Sequence, residues 1–167
     1  MRVKTILTLI VFFLPMSVYA QMGKFFSTEN QQLSSSFVSQ VYLDNEGFIW
    51  ITTRNGINRY DGYQFRVFKK ENETDKTLAS NYVNSMMQDR HGLFYFGMYG
   101  ALQTWDGEEF HNVRMLDDQG NDNYGYATCF LERRNGDVLA GTSGLGVMKF
   151  LDKYTARQFG GDRKSVV

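Results

Sequence analysis

The sequence predicts an all-β fold, a β-propeller fragment of about three four-stranded antiparallel blades, from three observations. Short apolar runs alternate with polar, glycine-rich turns, and no stretch after residue 20 has a strong helical period. The sequence repeats itself at a spacing of 44 to 45 residues. The first two copies each divide into four short strands, as one propeller blade requires. A β-sandwich also has short strands but needs no fixed repeat, so the repeat favours the propeller.

The repeat is defined by residues that recur in register. Gly136 follows Gly92 by 44 positions and marks a third copy, which is weaker than the first two. Three strands are predicted in this third copy. Seven residues of the first copy recur 45 positions later in the second: Leu33, Val38, Gly47, Tyr60, Asp61, Gly62 and Phe65 reappear as Leu78, Val83, Gly92, Trp105, Asp106, Gly107 and Phe110.

The first turn of each copy follows an Asp-x-x-Gly pattern, except that Arg133 replaces the aspartate in the third. An aspartate carboxylate can accept backbone N–H bonds inside such a turn, and glycine tolerates the left-handed conformation that closes it. Repetition in register indicates a structural role. The predicted structural turn residues are Asp44, Gly47, Asp89, Gly92 and Gly136.

Apolar residues of the second strands are predicted to fill the space between neighbouring blades. These are Trp50 in the first copy, Phe94 or Phe96 in the second and Leu139 in the third. Cys129 is the single cysteine, so it cannot form an internal disulfide. It lies in a predicted strand without a basic neighbour, and we expect it to be a small buried residue.

The N-terminal segment has the pattern of a secretory signal peptide. Arg2 and Lys4 precede a short apolar run, and Ala20 ends a small-residue cleavage site. An uncleaved membrane anchor would need about 18 consecutive apolar residues, and polar residues interrupt this run. The sequence therefore predicts export to the periplasm.

The predicted division of the chain follows the repeat. Residues 161–167 are expected to be a non-native tail, because residues 162–167 match a peptide that a widely used sequencing adapter encodes. Three blades cannot close a ring, since propellers have at least about four. The expected segments are a signal peptide at 1–20, a lead-in segment at 21–32, blade 1 at 33–77, blade 2 at 78–122, an incomplete blade 3 at 123–160, and the tail.

Composition and spacing argue against several kinds of chemistry. Lys plus Arg and Asp plus Glu both number 18, and no basic stripe predicts nucleic acid as a partner. His91, His111 and Cys129 have no spacing typical of a zinc site or an activated nucleophile. Residues 117–123 faintly resemble a calcium loop but lack its final glutamate, so a solvated loop between blades is expected. We predict no catalytic residue, no metal and no cofactor.

A candidate ligand site follows from blade topology. The turns between second and third strands open at the same end of a blade as the connections between blades, because every strand reverses direction. Aromatic rings can stack on sugars, and Asn and Arg can bond pairs of hydroxyl groups. The predicted ligand-binding residues at that end are Arg54, Asn55 and Tyr99 in the turns, with Asn81, Tyr82, Tyr124 and Tyr126 in the connections.

The first copy resembles the two-component-regulator propeller repeat. The resemblance rests on residues 33–38 and on the pattern Asp44-x-x-Gly47-Phe48-Ile49-Trp50-Ile51-Thr52-Thr53, followed by Gly56-Ile57. Residues 78–97 and 136–147 resemble second and third copies. Tyr95 stands where this family usually has tryptophan, and Arg133 where it usually has aspartate.

This resemblance implies the N-terminal periplasmic sensor of a Bacteroidetes hybrid two-component system. Such sensors are anchored in the inner membrane, carry a histidine kinase and phosphorelay, and bind oligosaccharides to regulate polysaccharide utilisation. The resemblance therefore implies a non-enzymatic sensing fragment. Its expected partners are an oligosaccharide, the remainder of the sensor and, in the parent protein, a second copy. The alternatives are a secreted lyase or glycosidase, which needs convergent carboxylates or a metal, and an interaction scaffold.

Overall fold

The computed structural model describes residues 33–71 and 77–160. The predicted signal peptide, lead-in segment and C-terminal tail lie outside the described residues. The described part is built of β-strands and turns, which confirms the all-β class. No helix in these two ranges is long and apolar enough to cross a membrane.

Across the described ranges 33–71 and 77–160, fourteen strands form three sheets. The first sheet contains β1 (Val38–Leu43), β2 (Ile49–Thr53), β3 (Gly56–Tyr60) and β4 (Phe65–Phe68). The second contains β5 (Val83–Gln88), β6 (Phe94–Met98), β7 (Ala101–Trp105) and β8 (Phe110–Asn112). The third contains β9 (Arg114–Leu116), β10 (Asp122–Asn123), β11 (Ala127–Glu132), β12 (Val138–Thr142), β13 (Val147–Asp152) and β14 (Thr155–Gln158).

Each sheet contains a four-stranded antiparallel meander with the same local irregularity in the first strand of that meander. The pairing of β1 with β2 shifts register between Val38 and Gln40. The equivalent shifts fall between Val83 and Ser85 and between Ala127 and Cys129. A bulge increases the local twist of a strand and changes its direction. Because all three sheets have one at the equivalent position, the repeat is present in the structure as well as in the sequence. We call the three sheets blades 1, 2 and 3.

Blade 3 differs from the predicted three strands in two ways. It has a fourth strand, β14, which the sequence pattern missed because Ala156 is its only buried residue. The hairpin of β9 and β10 then extends its outer edge, and β9 pairs in parallel with β14. Residues 117–123, expected to be a solvated loop, form the turn of this hairpin and β10. Both carboxylate oxygens of Asp117 accept hydrogen bonds within that turn, from Gln119 and Asn121.

The core consists of two apolar clusters, one at each interface between blades. Trp50 is fully buried between blades 1 and 2, with its ring centre 4.8 Å from that of Phe94. The equivalent residue in blade 2 is Tyr95, whose ring centre lies 4.7 Å from that of Phe150 in the second cluster. Phe94 and Phe96 also fill the space between blades 1 and 2, which confirms that these side chains lie between neighbouring blades. They face blade 1, whereas Tyr95 faces blade 3, because adjacent residues of a strand point to opposite sides.

Side chains of the innermost strands join successive blades. The Gln40 side chain donates to the carbonyl of Met86 (3.1 Å) and accepts from its N–H (2.8 Å). The Tyr42 hydroxyl makes the same pair of bonds with the backbone of Gln88. Ser85 Oγ donates to the carbonyl of Ala127 in blade 3 at 3.0 Å. The inner strands therefore lie side by side, as in a propeller.

Cys129 lies in strand β11, but it is exposed, which contradicts the expectation of burial. Its repeat equivalents are Gln40 and Ser85, which bond the following blade. No blade follows blade 3 in the part of the chain that the structure describes.

The uncovered side of blade 3 is a surface that we call the open face, and it is formed by Cys129, Leu131 and Val147. Val147 is 40% exposed, whereas its equivalents Ile57 and Leu102 are 0% and 2% exposed.

Candidate functional site

Five side chains form a continuous row across the ends of the three blades, and we call this row the aromatic strip. The Arg54 guanidinium lies 4.8 Å from the ring centre of Phe37 and 5.3 Å from that of Tyr82. The Tyr82 ring stacks on Tyr99 with centres 6.2 Å apart and an interplanar angle of 12°. The ring centre of Tyr99 in turn lies 5.8 Å from that of Tyr126, with the two rings tilted by 36°. The strip thus runs unbroken from blade 1 to blade 3.

The strip is built from two positions of the repeat. One is the entry to the first strand, and the other is the first residue of the turn between the second and third strands. In each blade the turn N–H donates to the entry carbonyl, over 3.2, 3.0 and 3.1 Å. These bonds bring turns and blade entries to one end. The entry residues are Phe37, Tyr82 and Tyr126, and the turn residues are Arg54, Tyr99 and Ser143.

The residues of the strip differ in their exposure to solvent. Phe37 and Tyr99 are 61% and 67% exposed, and Tyr82 and Tyr126 are half-buried. The Tyr82 and Tyr99 rings turn one face towards each other. A ligand would therefore meet the exposed ring of Phe37, phenolic hydroxyl groups and the Arg54 guanidinium. The hydroxyl and guanidinium groups hydrogen-bond well to hydroxyl pairs.

Asn55 and Asn81 lie beside the strip and hold its backbone in place. Asn55 Nδ2 donates to the carbonyl of Ser34 at 2.9 Å. The carbonyl of Asn81 accepts from the N–H of Gly56, and its side-chain Oδ1 accepts from the N–H of Lys70, both at 2.7 Å. Asn55 thus joins its turn to the entry of the same blade, whereas Asn81 joins blade 1 to the connection that follows it.

Tyr124 is separate from the strip and is 82% exposed. It lines a cavity of about 320 Å³ between blade 2 and the β9–β10 hairpin. The other lining groups that bear on its chemistry are Leu102, Asn112, Val113, Arg114, Met115, Asp122 and Asn123. Sequence reasoning missed this cavity, because it depends on the pairing of β9 with a strand about 40 residues later. A pair of strands in parallel leaves no local sequence signal.

The charged cluster at the outer rim joins blades 2 and 3. His111 Nε2 donates to Asp106 Oδ2 over 2.6 Å, and Lys153 Nζ donates to the same oxygen over 3.1 Å. The hydrogen bond from His111, with that from the Glu109 backbone and that from Lys153, lowers the pKa of the Asp106 carboxyl well below its ordinary value. Within residues 33–71 and 77–160, no three His, Cys, Asp or Glu side chains are grouped to hold a metal.

The predicted turn residues occupy the ends of the blades opposite the strip. Asp44 Oδ1 accepts the N–H groups of Glu46 and Phe48, and Asp89 Oδ1 accepts those of His91 and Leu93. Gly47, Gly92 and Gly136 have φ values of 89°, 92° and 90°, which favour glycine. His91 is thus an exposed turn residue.

Successive four-stranded meanders with equivalent inner strands define a β-propeller-type protein with an aromatic row at one end of its blades. Comparison with known proteins agrees with this fold. The family model described as two component regulator propeller matches residues 32–55, which confirms the resemblance seen in the first copy. The protein called histidine kinase P4 from Formosa agariphila is 31% identical over 70 residues. That match covers 40% of this chain and 5% of the relative.

Two solved structures from B. thetaiotaomicron share the fold. The extracellular domain assigned to the hybrid two component system BT4673 has a TM-score of 0.63 at 18% identity, covering 84% of this chain and 19% of that chain. The one assigned to the hybrid two component system BT3049 has a TM-score of 0.52 at 16% identity, covering 83% and 26%. This chain therefore spans about a fifth to a quarter of those structures.

Proposed function

We propose that this chain supplies blades to the periplasmic ligand-sensing region of a two-component sensor histidine kinase, and that its aromatic strip contacts an oligosaccharide. Support comes from the two-component-regulator repeat at residues 32–55, the histidine kinase relative and the extracellular sensor domains with the same fold. The observation that carries the ligand proposal is the unbroken row of neighbouring aromatic rings and a guanidinium group across three blades.

The repeat positions suggest how the strip would discriminate between ligands. The entry position keeps an aromatic ring in every blade, whereas the turn position changes from Arg54 to Tyr99 to Ser143. The turn position changes between blades and can therefore discriminate between ligands, since Arg54 offers several guanidinium donors and Tyr99 a hydroxyl group. The entry position supplies an aromatic ring in each blade, and the exposed ring of Phe37 gives a face on which a sugar can stack.

Signalling would then be carried by the rest of the protein. The strip would bind the oligosaccharide in the periplasm, and the remainder of the sensor, including its membrane span and its dimer, would transmit the event to the kinase. The chain itself has a binding role in this account and performs no reaction.

Binding of the full chain to an array of neutral and acidic oligosaccharides, followed by calorimetry on the best ligand, tests this proposal. We expect Arg54→Ala to weaken binding about tenfold, a loss of about 1.4 kcal/mol. Arg66→Ala is a matched control, because its guanidinium also lies over a ring, that of Phe68 at 4.7 Å, but on the outermost strand of blade 1. Failure to bind any oligosaccharide, or equal losses in both variants, would contradict the proposal.

A further inference from the structure

We propose that the cavity between blade 2 and the β9–β10 hairpin is a subsite for a single neutral, polyhydroxylated ring. Its place at the end of a longer ligand rests on the proposed function of the strip. The cavity measures about 320 Å³, at the lower end of the roughly 300–1,000 Å³ range of ligand pockets. That volume is sufficient for one ring.

The cavity adjoins the aromatic strip at two points. Gly100, which lines it, directly follows Tyr99 of the strip. Tyr124, which also lines it, precedes Tyr126 of the strip by two residues. Gly125 between them packs closely on Leu145, where a Cβ atom would lie 2.8 Å from its Cδ1. A ligand that follows the strip can therefore place its last ring in the cavity.

The lining combines apolar and polar groups in the way a sugar ring requires. Leu102, Val113 and Met115 are 2%, 6% and 5% exposed and provide an apolar floor for the C–H face of a ring. Asn112, whose Oδ1 accepts a bond of 2.8 Å from the buried Gln103, contributes an oriented amide. The Asn123 amide and the Tyr124 hydroxyl supply further hydrogen-bonding groups at the rim.

An ion pair makes the rim electrically neutral. Arg114 holds Asp122 in a two-pronged contact, through Nε and through Nη2, the latter at 3.0 Å from Oδ2. A ring that carries a carboxylate would compete with Asp122 for Arg114 and would meet the repulsion of the Asp122 carboxylate. A neutral ring leaves this pair intact, so the pair selects against acidic sugars.

An NMR titration of the full chain, with labelled methyl groups, tests the subsite. The probes are glucose, galactose, mannose and xylose as neutral rings, and glucuronate as the acidic one. We expect at least one neutral sugar to shift the methyl resonances of Leu102, Val113 and Met115. We expect glucuronate to bind at least about tenfold more weakly than that sugar.

Charge variants separate selection by the ion pair from a change in fold. Asp122→Asn frees Arg114 and should improve glucuronate binding about tenfold relative to the neutral sugar. Arg114→Gln should give no such gain. Asp137→Asn is the control, since it removes an aspartate that pairs with Lys149 and Arg133 at the first turn of blade 3, away from the cavity.

Three results would overturn the proposal: no methyl shift with any neutral sugar, equal binding of glucuronate, or the same response from Asp122→Asn and Asp137→Asn. Failure of the proposed function is distinguishable. If a neutral sugar shifts the cavity methyl resonances while Arg54→Ala leaves oligosaccharide affinity unchanged, the proposal for the strip is contradicted and the subsite is supported. If Arg54→Ala weakens binding and the methyl resonances do not shift, only the subsite proposal is contradicted.

Discussion

Trp50 Nε1 donates a buried hydrogen bond of 2.7 Å to Asp44 Oδ2, and so ties the second strand of blade 1 to the first turn. Blade 2 keeps this bond with a different donor, since the Tyr95 hydroxyl donates to Asp89 Oδ2 at 2.9 Å. Burial, together with this bond and the Asp89 charge, raises the pKa of Tyr95, so the phenol stays protonated as the donor. In blade 3 both partners are absent, with Arg133 and Leu139 at the equivalent positions. The acceptor and the donor are therefore kept or lost as a unit.

This pairing predicts the effect of Tyr95→Phe. The variant keeps the ring, which packs on Phe150, and removes the hydroxyl donor, so it leaves one oxygen of the buried Asp89 carboxylate without that bond. We expect the free energy of unfolding to fall by about 1–3 kcal/mol in urea denaturation. Tyr63→Phe is the control, since Tyr63 is 94% exposed and should give no measurable change. Equal stability of the two variants would show that the bond contributes nothing.

The open face predicts different responses to one substitution at three equivalent positions. Val147→Lys should leave the unfolding free energy nearly unchanged and reduce self-association, because Val147 is 40% exposed on an apolar surface. Ile57→Lys and Leu102→Lys bury a charge between blades and should lower stability by more than about 3 kcal/mol. Light scattering and urea denaturation measure the two effects. A large loss of stability for Val147→Lys would mean that this face is covered.

The Asp106 cluster predicts a dependence of stability on pH. Because the folded state lowers the pKa of Asp106, its carboxylate contributes stability above about pH 4, the ordinary range for aspartate. That contribution is lost as the pH falls from about 4 towards the lowered pKa, since the carboxylate must then take up a proton.

Comparison of wild type with Asp106→Asn measures this contribution. The wild type should be more stable at neutral pH, and the difference in unfolding free energy should shrink as the pH falls below about 4. Asp118→Asn is the control, because Asp118 is exposed and no ion pair to it is found among the described residues. A difference that stays constant from pH 7 to about pH 2 would contradict the prediction.

A structural feature could be predicted from the sequence when residues close together in the chain determine it. The Asp44 and Asp89 turns were predictable, because an aspartate and a glycine three residues apart determine their own turn. The exposure of Cys129 was not, because it depends on which blade lies beside β11. The alternation of side chains along a strand indicates which residues share a face, but it does not indicate which neighbouring element covers that face.

The sequence could predict which residues of the candidate site lie near one another, but not how their side chains are arranged. Blade topology alone brought Arg54, Tyr82, Tyr99 and Tyr126 to one end of the fold. Their order as a row of neighbouring rings depends on distances between blades, as does the separation of Tyr124 from the row. Asn55 and Asn81 could not be recognised as backbone anchors, because their partners Ser34 and Lys70 are set by loop conformation.

The central claim is that the row of aromatic and guanidinium groups binds ligand, and the oligosaccharide affinity of Tyr99→Ala tests it most directly. Tyr99 lies between Tyr82 and Tyr126 at the centre of the strip, whereas the control Tyr63→Ala removes an exposed tyrosine elsewhere. We expect calorimetry to give at least a tenfold loss for Tyr99→Ala, about 1.4 kcal/mol, and no change for Tyr63→Ala. Equal affinities for the two variants, both matching the wild type, would contradict the account.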